Sequence, residues 1–164
     1  MKIALHITEK APELDEDLNQ EEMELSDFEF YLESLAQFVD GAISIDFGSE
    51  KKIELDLMYD FCVCHDEIID SVESVIRGDE GRRDIYFCEQ GSDFYLHYET
   101  IGDSVLIEFK KGPEAGNPNR RVDEFSATVE RKTYIEAWRN LFNALGAQFD
   151  ERFGASGKGT IQFN

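Results

Sequence analysis

Three groups of side chains have the types and spacing to do chemistry. Cys62-Val63-Cys64-His65 sets two thiols and an imidazole within four positions. A zinc site ordinarily places two residues between paired cysteines, so that both thiolates reach one ion. Here one residue intervenes, and on a helix turning about 100° per residue the two thiols point about 200° apart. Cysteine is also a small, commonly buried hydrophobe. The cluster reads as structural, and no metal is expected. His97 shares its side of an alternating stretch with Tyr95 and Glu99, which is the setting of an acid–base group. Nucleophilic catalysis needs a nucleophile beside an oriented base, and the chain has no GxSxG or HExxH motif to supply one. The third group, Glu13, Asp15, Glu16 and Asp17, lacks the spacing and terminal Glu of an EF-hand loop. Gly78-Asp79-Glu80-Gly81-Arg82-Arg83 lacks the Lys-Ser/Thr ending of a phosphate loop. No catalytic residue and no cofactor is assigned.

Alternation defines the element that must carry His97. From Arg83 to Lys110, Ile85 and Phe87 alternate with Tyr86 and Cys88. Phe94, Leu96 and Tyr98 alternate with Tyr95, His97 and Glu99, and Val105, Ile107 and Phe109 with Leu106, Glu108 and Lys110. A period of two in residues of high β-propensity marks three half-buried strands. A two-residue hairpin at Gly102-Asp103 sets Thr100 opposite Val105 and Tyr98 opposite Ile107. A similar turn at Gly91-Ser92 sets Phe87 opposite Leu96, and makes Tyr86 and Glu108 the neighbours of His97.

The other elements follow the same logic. Residues 1–8 alternate as a first strand, and 9–24 read as an acidic loop. Ser26 and Glu29 form a capping box for a helix over 26–40, with Gly41 at its stop. Residues 42–59 read as a hairpin. A second helix over 60–77 has Asp60 as N-cap and Gly78 as stop. Residues 112–121, with two Pro and two Gly, read as a mobile loop. A strand over 122–131 precedes a third helix, which Thr133 and Glu136 cap and which exposes one apolar stripe through Phe149. Three amphipathic helices need one apolar surface to cover. The expected fold is α+β, a mostly antiparallel sheet with three amphipathic helices packed on one face. Residues 1–153 form a single α+β domain, and 154–164 a loose Gly-rich C-terminal tail whose end is also compatible with a docked strand.

Chain length is sufficient for one full core, which the thirteen Phe should dominate. A net charge of −20 argues against nucleic acid and anionic membrane, since phosphate contacts need Lys and Arg. It favours a basic partner. An odd count of three Cys, no leader-like apolar start and no membrane-length apolar stretch point to a reducing cytoplasm. The side of the meander with no evident helix to cover it is the expected partner-binding face: Tyr86, Tyr95, His97, Glu99, Glu108, Glu124 and Glu130. Tyr supplies contact area with a polar tip, and carboxylates steer basic partners.

The segment from Ser74 to Phe109 resembles small bacterial proteins of uncharacterised function, whose EQG turn between two aromatic strands is similar to Glu89-Gln90-Gly91. The compact, acidic, motif-poor chain also resembles immunity proteins of bacterial toxin systems. That resemblance implies a cytoplasmic, non-enzymatic inhibitor that binds a cognate basic toxin and blocks its active surface. Two alternatives stand beside it: a small enzyme using His97 with neighbouring carboxylates, and a structural subunit whose aromatic face is an oligomer interface.

Overall fold

The computed structural model describes residues 1–163, apart from the side chain of Gln90. Seven strands and three α-helices form an α+β fold: β1 (Lys2–Glu9), α1 (Asp27–Ala36), β2 (Val39–Asp46), β3 (Lys52–Asp56), α2 (Val63–Arg77), β4 (Arg82–Phe87), β5 (Phe94–Ile101), β6 (Ser104–Lys111), β7 (Phe125–Glu130) and α3 (Arg131–Phe153). All pairings are antiparallel, but they make two sheets where one was expected: β1-β2-β3 and β4-β5-β6-β7. The break has a local cause. The free edge of β3 bonds to a side chain in place of a strand. Asn119 Oδ1 accepts from the Glu54 amide at 2.9 Å, and Asn119 Nδ2 donates to the Glu54 carbonyl at 2.6 Å. A side-chain amide thus copies a backbone amide and ends the ladder. Lys51 Nζ donates to the Ser126 carbonyl on β7 at 2.8 Å, and Phe47 lies 5.3 Å from Phe125, so the sheets abut.

The helices cover the apolar sides of both sheets. α3 packs on β1, β6 and β7 and touches both other helices, α2 packs on β4, and α1 on β2. Phe28, Phe61, Phe142 and Phe149 meet where α1, the turn that leads into α2, and α3 converge. Arg131, the first residue of α3, donates through Nε to the Val75 carbonyl at 2.7 Å and through Nη2 to the Ile76 carbonyl at 2.6 Å. It therefore satisfies terminal carbonyls of α2 with a cation at the negative end of the helix.

The Ser26–Glu29 capping box forms in both directions. Other boundaries differ from the sequence-based expectation. α1 stops at Ala36, and Val39, expected in the helix, starts β2. Asp60 is not an N-cap. Asp56 takes that role, its Oδ1 accepting from the Met58 and Tyr59 amides at 2.8 Å. A π-helical turn, Leu57–Cys62, follows before α2 begins. Asp60, inside that turn, is 4% exposed. It accepts from the Asp56 amide at 2.8 Å and from the Ser92 hydroxyl. Thr133 and Glu136 do not cap α3, because the helix already starts at Arg131 and Glu130 occupies the N-cap position without a side-chain bond.

The hairpin at Gly102-Asp103 has the expected register, Thr100 opposite Val105 and Tyr98 opposite Ile107. The preceding one is displaced by two residues: Phe87 pairs with Phe94, and Ile85 with Leu96. Cys88–Asp93 is a longer connection containing a 3-10 turn at Glu89–Gly91, not a two-residue turn. A shift of two keeps every side chain on its face. Residues 112–121, expected to be mobile, are anchored: Asn119 and Ala115 are buried, and the Gly116 amide donates to the Gly91 carbonyl at 2.6 Å. After α3, Ala155 is buried, and Phe163 meets Phe142 edge-on with ring centres 5.3 Å apart. That end is packed on the core and not loose, and it adds no strand; Asn164 lies outside the described residues.

Candidate functional site

Alternation along β5 turns Phe94, Leu96 and Tyr98 into the core and leaves Tyr95, His97 and Glu99 half-exposed on the other side. The pairing of β4 with β5 places Tyr86 opposite Tyr95 and Asp84 opposite His97. The rings form a stack. Tyr86 and Tyr95 lie 4.2 Å apart with planes 7° from parallel, and Tyr95 and His97 lie 5.6 Å apart at 9°. The Tyr86 hydroxyl donates to Asp93 Oδ1 at 3.1 Å. That bond, with the nearby carboxylate charge, pushes the phenol up to about 12, so it remains a donor at neutral pH. His97 Nδ1 contacts the Asp84 carboxylate. The expected two-residue turn sets Tyr86 beside His97; the longer Cys88–Asp93 connection sets Asp84 there instead.

The other expected residues fall into separate groups. Glu108 sits opposite both His97 and Ser126, pairs with Arg82 Nη1 at 2.7 Å and accepts from the Ser126 hydroxyl at 3.3 Å. Glu124 accepts from Lys110 Nζ and from the Lys111 amide, each at 3.0 Å, and the Lys110 bond is the main cause of its lowered pKa. Glu99 and Glu130 stand toward the far end of the strands. Glu99 lines a cleft of about 540 Å³ with Glu80, Ile101 and Arg131. Glu130 lines one of about 660 Å³ with Ser104, Arg131, Ile135 and Arg139. Four residues along β5 separate Tyr95 from Glu99, about 13 Å at the strand rise. The face therefore holds an aromatic stack with its own carboxylate, two internally paired carboxylates, and two outlying ones.

The thiols diverge. Cys62 Sγ contacts Glu33 Oε1 at 3.6 Å, and Cys64 Sγ contacts the Tyr86 carbonyl at 3.3 Å. Burial, aided by nearby carboxylates, pushes both up to about 12, far from the thiolate that binds metal or attacks carbonyls. Among the described residues no group of three or more His, Cys, Asp or Glu is arranged to hold a metal ion.

Charge is segregated along the chain. Residues 11–50 and 53–76 hold 20 of the 36 acidic residues and none of the 16 Lys and Arg; the rest of the chain holds 16 of each sign. The whole net charge of −20 thus belongs to the acidic loop, α1, β2, β3 after Lys52, the π-helical turn and α2 before Arg77. The meander and α3 lie in the balanced part, which is why Glu108 and Glu124 find cations within their own sheet. No helix of the described residues is long and apolar enough to cross a membrane. No protein-family model, no curated protein and no solved structure matches the chain.

Proposed function

We propose that this chain is a non-enzymatic binding protein for a basic protein, acting as immunity-type inhibitors act on a cognate toxin in the cytoplasm. The observation that carries the reading is the segregation of charge, with the entire excess of carboxylates on one part of the fold. A field of one sign steers a partner of the other sign and raises the rate of encounter. The stacked Tyr86, Tyr95 and His97 supply a second, rigid contact area at low entropic cost. The test is affinity capture by the tagged full chain from its native cells. The expected result is one stoichiometric basic partner, released by salt. Absence of such a partner, or binding indifferent to salt, would remove the reading.

A second reading rests on one observation, the contact of His97 with the Asp84 carboxylate. A carboxylate on Nδ1 orients an imidazole for work at Nε2, as in a general base. A hydrolase substrate panel comparing the wild-type chain with His97→Ala checks it: activity lost with His97 supports catalysis, and activity in neither discards it.

A further inference from the structure

The reading of the chain as a binder of a basic protein leaves open which surface the partner covers. We infer that it is the ridge formed by α1, the π-helical turn and the start of α2, with Tyr59 and Val63 at its centre, and that its occupant is an Arg/Lys-rich amphipathic segment of a partner protein.

Two large apolar side chains are exposed on this ridge. Tyr59 is 54% and Val63 51% exposed, and they are four residues apart on a continuous helical run, hence on one side. The core already has what it needs from the neighbours: Leu57, Phe61 and Cys64 are buried. The π-helical turn is held by Asp60, whose buried carboxylate ties the Asp56 amide to Ser92 of the β4–β5 connection. Single π-helical turns occur frequently at functional sites. Tyr59 is the large side chain this turn leaves exposed.

The charged side chains that α1 and the start of α2 set beside this turn are carboxylates. α1 runs alongside, with Glu33 Oε1 3.6 Å from Cys62 Sγ and Glu29 Oε1 4.0 Å from His65 Nε2. Asp66 and Glu67 are exposed one turn beyond Val63, and no Lys or Arg occurs anywhere in residues 53–76. An apolar pair with carboxylates of α1 and α2 nearby fits a segment with apolar residues flanked by cations. A partner arginine has both a carboxylate to bond and the Tyr59 ring to stack upon. A second copy of this chain seated two-fold on the same surface would bring these carboxylates against themselves, and is disfavoured by charge. The sheet face is the weaker docking surface for a basic segment, because Arg82 and Lys110 already occupy its carboxylates.

The test uses the full-length chain, labelled with 15N, and two synthetic peptides of equal Arg and Leu content. One has Leu at helical spacing and the other is scrambled. Near 0.15 M salt, the amphipathic peptide should shift the amides of the π-helical turn and α1, and bind roughly tenfold more tightly than the scrambled one. Tyr59→Ala combined with Val63→Ser should weaken it by about tenfold, with an unchanged circular dichroism spectrum, while Ile101→Ala, at the exposed end of β5, has no effect. Equal affinity for both peptides, or an unaffected double variant, means diffuse charge binding and overturns the inference. Shifts confined to the sheet face and lost in Tyr86→Ala also overturn it, yet leave the proposed function standing. A doubled sedimentation mass abolished by the double variant makes the ridge a self-interface and overturns it too. Failure of cellular capture with peptide binding intact counts against the proposed function alone.

Discussion

Asp60 shows how one buried carboxylate governs its surroundings. Burial is the main cause of its raised pKa, and it outweighs the lowering by bonds from Ser92 and the Asp56 amide. The native state therefore holds this proton more tightly than the unfolded chain does. The contribution to stability is greatest below the unfolded carboxylate pKa, and declines as pH rises toward the folded value. Relative to wild type, Asp60→Asn should thus gain stability as pH is raised from about 4 to about 7, measured by urea unfolding at each pH. Asp60→Ala should lose about 1–3 kcal/mol, since it strands the Asp56 amide and the Ser92 hydroxyl. The thiols offer a separate check. Cys62 and Cys64 are shielded and held protonated, whereas Cys88 is exposed. A disulfide-exchange reagent at neutral pH should titrate one thiol in the native chain and three after denaturation.

At the scale of elements, the loop between β6 and β7 joins the two sheets. Its Asn119 is buried and makes two bonds to Glu54, and a Cβ at Gly112 would lie 2.1 Å from the Asp93 carboxylate oxygens, so a side chain there would displace that carboxylate from the Tyr86 hydroxyl and the Glu114 amide. Asn119→Ala should cost about 1–3 kcal/mol. Asn119→Asp should cost more, because it keeps the acceptor but sets a second oxygen against the Glu54 carbonyl. Urea unfolding of both variants, with hydrogen exchange at the Glu54 amide, measures the effect. Equal losses in the two variants would count against the amide-mimic role. The same loop explains why Gly, Pro and Asn in 112–121 suggest mobility and yet occur here in an anchored segment: each suits a turn, and turn chemistry is silent about what the turn packs against.

At the scale of the molecule, the segregated charge should be visible in stability. With a net excess of 20 negative charges concentrated in one stretch of the chain, self-repulsion opposes compaction, and salt screens it. The thermal midpoint should rise by about 2–5 °C between about 0.01 M and 0.15 M NaCl, as read by scanning calorimetry. A midpoint indifferent to salt would mean that the carboxylates are spaced too widely to repel.

Some of this molecule was determined by sequence alone, and the division has a physical basis. Which side of β5 each residue faces follows from a period of two, a property of the strand itself, so Tyr95, His97 and Glu99 were placed together correctly. The capping box at Ser26 and the stop at Gly78 depend on neighbours within four residues, and both form. The α+β class follows from amphipathic helices and alternating strands that need each other. Only the tertiary structure decided what depends on distant contacts. Asp60 exchanged a capping role for a buried bond to Ser92, 32 residues away. Asp84 reached His97 because the Cys88–Asp93 connection is longer than a two-residue turn, a length set by its packing on residues 112–116. Asn119 divided the sheet by bonding to a strand 65 residues earlier. The exposure of Tyr59 and Val63 is likewise tertiary, since periodicity assigns a residue to a face but not what covers that face.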